Sequence, residues 1–244
     1  MTIPSQVILF LHGFPFSPDM WAPQRAAFEA AGYRVLAPDL RLESSPATMD
    51  AMADAAVAAL DEAGADRAVV VGFSMGGYVA FSLLDRYPDR VAALALVDTR
   101  AEADSEEGKA GRKKLAANVL AEGARVAVDA MLGKLLSPAT LERRPETARL
   151  AEGIMLTAKP IAIAAAALGM AERPDRTSML ADIRVPTLVV VGADDAITPP
   201  DVARKMASTI PGAKLVVIDD AGHLSNLERP ETFNEALTAW LSQL

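Results

Sequence analysis

The chain contains no cysteine, and that single absence removes several chemistries at once. Disulfides, thiolate nucleophiles, cysteine-held zinc and iron–sulfur clusters are all excluded. Histidine is nearly as scarce. Only His12 and His223 occur, so a three-histidine metal site is excluded too, and neither metal nor organic cofactor is expected. Basic residues are outnumbered by acidic ones, giving a formal net charge of −8. The densest basic run, Arg112-Lys113-Lys114, reads as a solvated helix face. Nucleic acid and anionic membranes are not expected as partners, because phosphate contacts need clustered Lys and Arg. No apolar run is long enough to span a bilayer. Met1 to Gln6 lacks the basic region of a secretion signal, so the chain as given reads as cytoplasmic.

What is present suits one folded domain. The 244 residues are 51% hydrophobic and 23% charged, which fits a globular α/β protein rather than a disordered one. Apolar runs rich in Val, Ile and Leu recur at Val7–Leu11, Arg34–Ala37, Ala68–Val71, Ala92–Val97, Thr187–Val191 and Leu215–Ile218. Their hydrophobicity is continuous rather than alternating, as expected of parallel strands covered on both faces. Helical spacing lies between them: Trp21, Phe28 and Ala31 behind Pro18-Asp19, an alanine-rich segment from Ala51 to Ala63 ended by Gly64, a helix from Met75 to before Pro88, and one opened by Pro230. The alternation predicts a doubly wound, mostly parallel sheet of about six strands. From residue 100 to 181 no strand signal occurs. Helices are expected at Lys113–Leu120, Ala124–Leu136 and Ile161–Ala171, forming a cap inserted after the fourth strand. The core is then 1–99 with 182–244, and the cap 100–181.

The segment Val71-Gly72-Phe73-Ser74-Met75-Gly76-Gly77 carries the chemistry. A G-x-S-x-G spacing is common by chance, but here an apolar strand runs into it and a helix runs out of it. Such a turn forces its central residue into a strained conformation, so the flanking positions must lack side chains. It lifts the Ser74 hydroxyl above the strand ends and aims the Met75 N–H, at a helix start, towards a developing oxyanion. Neither a dinucleotide-binding nor a phosphate-loop glycine pattern is present. The serine needs a base. His223 lies just past the last predicted strand, on the same sheet edge. His12, after the first strand, is the rival, but the adjacent Gly13 suits a turn approaching ligand; His12 is assigned to shaping that loop and the Phe14 N–H to the oxyanion hole. For the acid that orients the imidazole, Asp194 and Asp195 both follow a strand, and adjacent side chains point apart, so only one is expected to reach His223. Asp98 is the runner-up, with Asp219 and Asp220 behind it.

These residues resemble the α/β-hydrolase superfamily along essentially the whole core. His12-Gly13-Phe14 is similar to its oxyanion motif and Gly72–Gly77 to its nucleophile elbow. Gly192-x-x-Asp195 with Ile197-Thr198-Pro199 is similar to its acid loop, and Gly222-His223 with Glu228-x-Pro230 to its histidine loop. The resemblance implies Ser74 as nucleophile, His223 as base and Asp195 as the orienting acid, with the Phe14 and Met75 amides as oxyanion donors. The family usually has two strands ahead of the His-Gly strand. Only about six residues precede it here, so a sheet lacking those two is expected.

Within the superfamily the chain resembles small carboxylesterases and the enol-lactone hydrolases of aromatic catabolism. The elbow is also similar to that of cofactor-free haloperoxidases, and Pro15 keeps perhydrolysis open. Epoxide hydrolases and haloalkane dehalogenases use an aspartate nucleophile, against which Ser74 speaks. The expectation is a serine hydrolase, monomeric or homodimeric, acting on a small acyl substrate. A slow-turnover ligand-binding regulator and a lyase or synthase on the same scaffold are the rival classes. Met131, Leu132, Leu135, Met155, Leu156, Ile161, Ile163 and Met170 are candidates for an apolar cap lining, and Lys159 or Arg173 for binding a substrate carboxylate.

Overall fold

A computed structural model describes residues 6–244; Met1 to Ser5, part of the segment read for a secretion signal, lie outside the described residues. Six strands form one parallel sheet: β1 (Val7–Leu11), β2 (Arg34–Leu36), β3 (Ala68–Phe73), β4 (Val91–Val97), β5 (Thr187–Gly192) and β6 (Lys214–Ile218). The spatial order is β2-β1-β3-β4-β5-β6. The chain therefore steps outward from β1 to β2, crosses back to β3, and then builds steadily in the other direction. The reversal lies between β1 and β3. Open α/β sheets leave a crevice at the carboxyl ends of strands flanking such a switch, and His12 and Ser74 directly follow these two strands.

Both sheet faces are covered, which is why the strands read as unbroken apolar runs. Leu9, Leu11, Val70, Leu96, Val189 and Val191 belong to one core cluster. Ile8, Phe10, Val69, Val71, Val97 and Val190 belong to the other. The two-residue period of the strand thus divides each run between two layers. The helices before the cap are α1 (Ala22–Ala30), α2 (Met49–Glu62) and α3 (Met75–Arg86). Pro18–Trp21 forms a short 3-10 turn, so α1 begins later than the Pro18-Asp19 signal suggested. Thr48 caps α2 by accepting from the Ala51 N–H, starting it two residues earlier than expected.

Between β4 and β5 lie helices α4 (Glu106–Glu122), α5 (Arg125–Leu135), α6 (Pro138–Arg143), α7 (Pro145–Leu156) and α8 (Pro160–Ala171). Ser105 accepts from the Gly108 N–H, and Glu106 and Glu107 occupy the first turn, so α4 extends well beyond Lys113–Leu120 on its N-terminal side. The sequence reading missed α6 and α7. α8 packs along α4 and lies deep in the first core cluster. Three helices follow β5: α9 (Pro200–Thr209), α10 (Ser225–Glu228) and α11 (Pro230–Leu241). Among the described residues no single helix is long and apolar enough to cross a membrane.

Candidate active site

Ser74 stands at the junction of β3 and α3 with φ 51° and ψ −112°, a region that non-glycine residues avoid and that costs on the order of 1–3 kcal/mol. The neighbours make the kink possible. A Cβ on Gly76 would sit 2.1 Å from the Leu11 carbonyl oxygen, and one on Gly72 would sit 2.5 Å from that of Gly76. The Ser74 N–H donates to the Val97 carbonyl at 2.9 Å, and the Thr99 hydroxyl donates to the Ser74 carbonyl at 2.8 Å. The strained residue is thereby anchored to β4 and to the segment following it.

The Ser74 hydroxyl lies 2.9 Å from His223 Nε2. His223 is buried, its ring 5.2 Å from that of Phe73. Its Nδ1 donates to Asp195 Oδ2 at 2.8 Å, so with Nδ1 carrying the proton Nε2 is free to accept one from Ser74. Asp195 is itself tightly held. Its Oδ1 accepts the N–H groups of Ile197 and Thr198 at 2.8 and 2.9 Å, and its Oδ2 accepts the Thr198 hydroxyl at 2.6 Å. Burial alone would push this carboxyl up, but the imidazole beside it and the hydrogen bonds from His223 and Thr198 hold it below the usual range.

The neighbouring carboxylates separate cleanly. Asp194 points to solvent while Asp195 is buried, as adjacent side chains at a strand end should. Asp98, the runner-up, is also buried but meets Gly192 and Ser225 rather than the imidazole. Asp219 and Asp220 are exposed, and Asp220 pairs with Arg229. His12 is buried; its Nε2 accepts the Leu40 N–H at 2.8 Å and its Nδ1 faces the Gly13 carbonyl at 3.0 Å. Both ring nitrogens are occupied by backbone, which suits the loop-shaping role and leaves no free base.

Phe14 and Met75 line one small cavity of about 10 Å³, together with Gly13, Leu40, Arg41 and Ile163; Ser74, His223 and Asp195 are not among its lining residues. Met75 opens α3, so its N–H is among the first-turn donors with no acceptor inside the helix. From the cap, α8 also contributes Ala162 and Ala166 to the wall. Several expected lining residues are elsewhere. Leu156 and Ile161 are exposed, and Leu135 and Met155 pack into the second core cluster. Met170 packs into the first. Helical spacing identified the apolar positions of the cap but not which face meets the sheet.

Neither proposed carboxylate binder is free for the task. Lys159 is exposed and pairs with Glu43 at 2.6 Å. Arg173 is buried, pairs with Asp104 at 2.8 Å and stacks 4.1 Å above the Tyr78 ring. It lines a separate small cavity with Tyr78 and Arg100. Arg112 joins the same acidic partner, so the basic run is only partly a solvated face. Three site residues went unassigned in the sequence. Thr198 buttresses Asp195, Thr99 anchors the elbow, and Glu228 accepts the N–H groups of both Ser137 and Gly222. Thr198 and Glu228 lie inside the acid-loop and histidine-loop patterns, so the signal for them was present.

Comparison with known proteins agrees with the fold. The family model for the alpha/beta hydrolase fold matches residues 6–230. A pimeloyl-[acyl-carrier protein] methyl ester esterase of Aromatoleum aromaticum is 31% identical, with 92% of this chain and 93% of that protein covered. The solved structure of a thermophilic esterase from Thermogutta terrifontis, with malate bound, is 42% identical with a TM-score of 0.94, covering 98% of this chain and 90% of that one. An enol-lactonase from Burkholderia xenovorans LB400 is 28% identical with a TM-score of 0.89, covering 98% and 92%. With a parallel sheet whose switch point carries a strained serine beside a buried histidine, and with a family match over almost its full length, the chain belongs to the α/β-hydrolase fold family.

Proposed function

We propose that this hydrolase-family protein is a serine esterase that cleaves small carboxylic esters through an acyl-serine intermediate. The observation that carries the reading is the unbroken line from Asp195 Oδ2 through His223 to the Ser74 hydroxyl, with steps of 2.8 and 2.9 Å. In the proposed cycle His223 Nε2 takes the Ser74 proton as Oγ attacks the acyl carbon. The Phe14 and Met75 amides receive the oxyanion. The imidazolium, steadied by Asp195, then protonates the leaving alcohol. Water activated by the same imidazole attacks the acyl-serine, and Ser74 regains its proton as the carboxylic acid departs.

The cavity limits the acyl group. At about 10 Å³ the space beside Phe14 and Met75 holds roughly one water-sized group, which favours a small acyl group. Its apolar wall and single cation, Arg41, favour an uncharged ester. Arg41 is already engaged by Asp39 on both carboxylate oxygens and donates to the Thr157 hydroxyl. An enol-lactone bearing a carboxylate is the second reading. Likeness to the Burkholderia enol-lactonase favours it, and Arg41 would have to exchange partners to serve it.

A panel of p-nitrophenyl esters of graded chain length, set beside carboxylated enol-lactones, tests both readings. Short esters should turn over fastest, and Ser74→Ala should lower kcat by 10³-fold or more. A fluorophosphonate should add to Ser74 alone. Full activity in Ser74→Ala would remove the reading.

A further inference from the structure

Asp98 is a buried carboxyl that the proposed cycle does not use. It follows β4, has no solvent exposure and adopts φ 45°, an uncommon backbone state for any side chain but one that Asp and Asn tolerate best. Its Oδ1 accepts the Gly192 N–H at 2.8 Å, and its Oδ2 lies 2.5 Å from the Ser225 hydroxyl. Gly192 ends β5, three residues before Asp195. Ser225 begins α10, two residues after His223. One side chain therefore spans the two loops that deliver the acid and the imidazole.

The position is difficult to fill by chance. The Asp98 N–H donates to the Val190 carbonyl, fixing the residue against β5. The two loops also touch directly: the Asp194 N–H donates to the Ala221 carbonyl at 2.8 Å. Glu228 ties the histidine loop from its other side through Gly222. Asp98 closes the remaining side, between strand end and helix start. The groups facing it are Ser225, the Gly192 N–H and the charges of Asp195 and Glu228. Burial, and then the negative charge of Asp195, push its carboxyl well above the usual range, against the hydrogen bonds from Ser225 and Gly192.

We propose that Asp98 is a positioning residue that holds the acid loop and the histidine loop in register by bridging the Gly192 N–H and the Ser225 hydroxyl. This rests on the assignment of Ser74, His223 and Asp195 under the proposed function. Its effect is on the His223–Ser74 geometry and not on substrate binding, so it belongs in kcat.

Asp98→Asn tests whether the bridge alone suffices. An asparagine keeps an acceptor for Gly192, meets the Ser225 hydroxyl with its amide group and tolerates positive φ. It should retain kcat within about threefold. Asp98→Ala should lower kcat by about tenfold or more with KM changed less than threefold, since misplacing a reacting group by even a fraction of an ångström is costly. Ser225→Ala cuts one end of the bridge at little risk to folding and should lower kcat in the same direction by a smaller factor. The proposal is overturned if Asp98→Ala and Ser225→Ala, both folded by circular dichroism, keep wild-type kcat. It is equally overturned if Asp98→Asn loses as much kcat as Asp98→Ala. Titration with a fluorophosphonate separates this from the esterase reading: wild-type protein that is not labelled at Ser74 sinks the esterase assignment, whereas normal labelling with indifferent Asp98 variants sinks the bridge alone.

Discussion

The Thr198 hydroxyl donates to Asp195 Oδ2 at 2.6 Å, onto the same oxygen that accepts His223 Nδ1. Asp195 thereby receives its donors from a single turn of its own loop plus the imidazole. That turn orients the carboxylate before any substrate arrives. Hydrogen bonds to a charged group contribute about 1.5–3 kcal/mol each, and part of that value is spent on holding Oδ2 under the imidazole. Thr198→Val, which keeps the shape and removes the hydroxyl, should lower kcat roughly tenfold with KM nearly constant. Steady-state kinetics on p-nitrophenyl acetate decide it; an unchanged kcat would show that the two backbone N–H donors suffice.

His12 and His223 make a clean contrast, since the chain has no other imidazole. His12 is buried with its Nε2 occupied by the Leu40 N–H. Replacing it by alanine leaves that donor without an acceptor, which costs about 1–3 kcal/mol and should lower Tm by roughly 2–12 °C in a chain of this size. Ser74 in His12→Ala should still react with a fluorophosphonate. His223→Ala should fold normally and fail to react. The opposite pattern of labelling would exchange the roles of the two residues.

The sheet was legible because each strand is covered on both faces, so burial wrote itself as unbroken runs such as Val69-Val70-Val71. The elbow was legible for a steric reason: Gly72 and Gly76 stand where backbone approaches to within 2.5 Å of a would-be Cβ. The cap was harder. α7 places Leu150 and Leu156 in solvent while Ala151 and Met155 are buried, so its apolar residues do not mark one face. Arg173 stood as a candidate carboxylate binder, and only its contacts with Asp104 and Tyr78, separated from it in sequence by α4 to α8 or by β4 as well, explain its burial. Asp195 and Asp194 were distinguished by family pattern, and their exposure separates them by a physical criterion.

The cluster around Asp104 makes the cap's attachment sensitive to acid. Burial would raise this carboxyl, but the hydrogen bonds and charges of Arg173 and Arg112 outweigh it and hold it at about 2, below its ordinary 3.8. A depressed folded-state value means that the group stabilises the fold fully above about pH 4, and that this contribution fades as pH falls from there towards 2. Asp104→Asn leaves Arg173 buried without its counter-charge and should lower Tm at pH 7 by roughly 5 °C or more. By pH 2.5 the gap between variant and wild type should have largely closed. Melting curves at pH 7, 4 and 2.5 check this, and a gap that stays constant across the series would assign the loss to packing instead of charge.

Chain-length selectivity should be set by α8. Ala162 and Ala166 lie one helical turn apart on this helix, and both line the cavity beside Phe14 and Met75. Each presents only a methyl group, so the available space is governed by side chains that substitution can enlarge without touching Ser74, His223 or Asp195. Ala166→Leu adds three carbon atoms to a small cavity, and interiors accept such overpacking only at a cost of about 1–3 kcal/mol. An acetyl group does not need the far wall, and its kcat/KM should stay within about threefold. A butyryl or hexanoyl group does need it and should lose tenfold or more, mainly through KM if the chain is merely excluded and through kcat if it is forced out of line with Oγ. Leu156→Ala, on the exposed surface of the same cap, should leave the acetate-to-hexanoate ratio unchanged. If instead both variants shift that ratio equally, the acyl chain lies elsewhere and the wall formed by α8 faces the leaving alcohol.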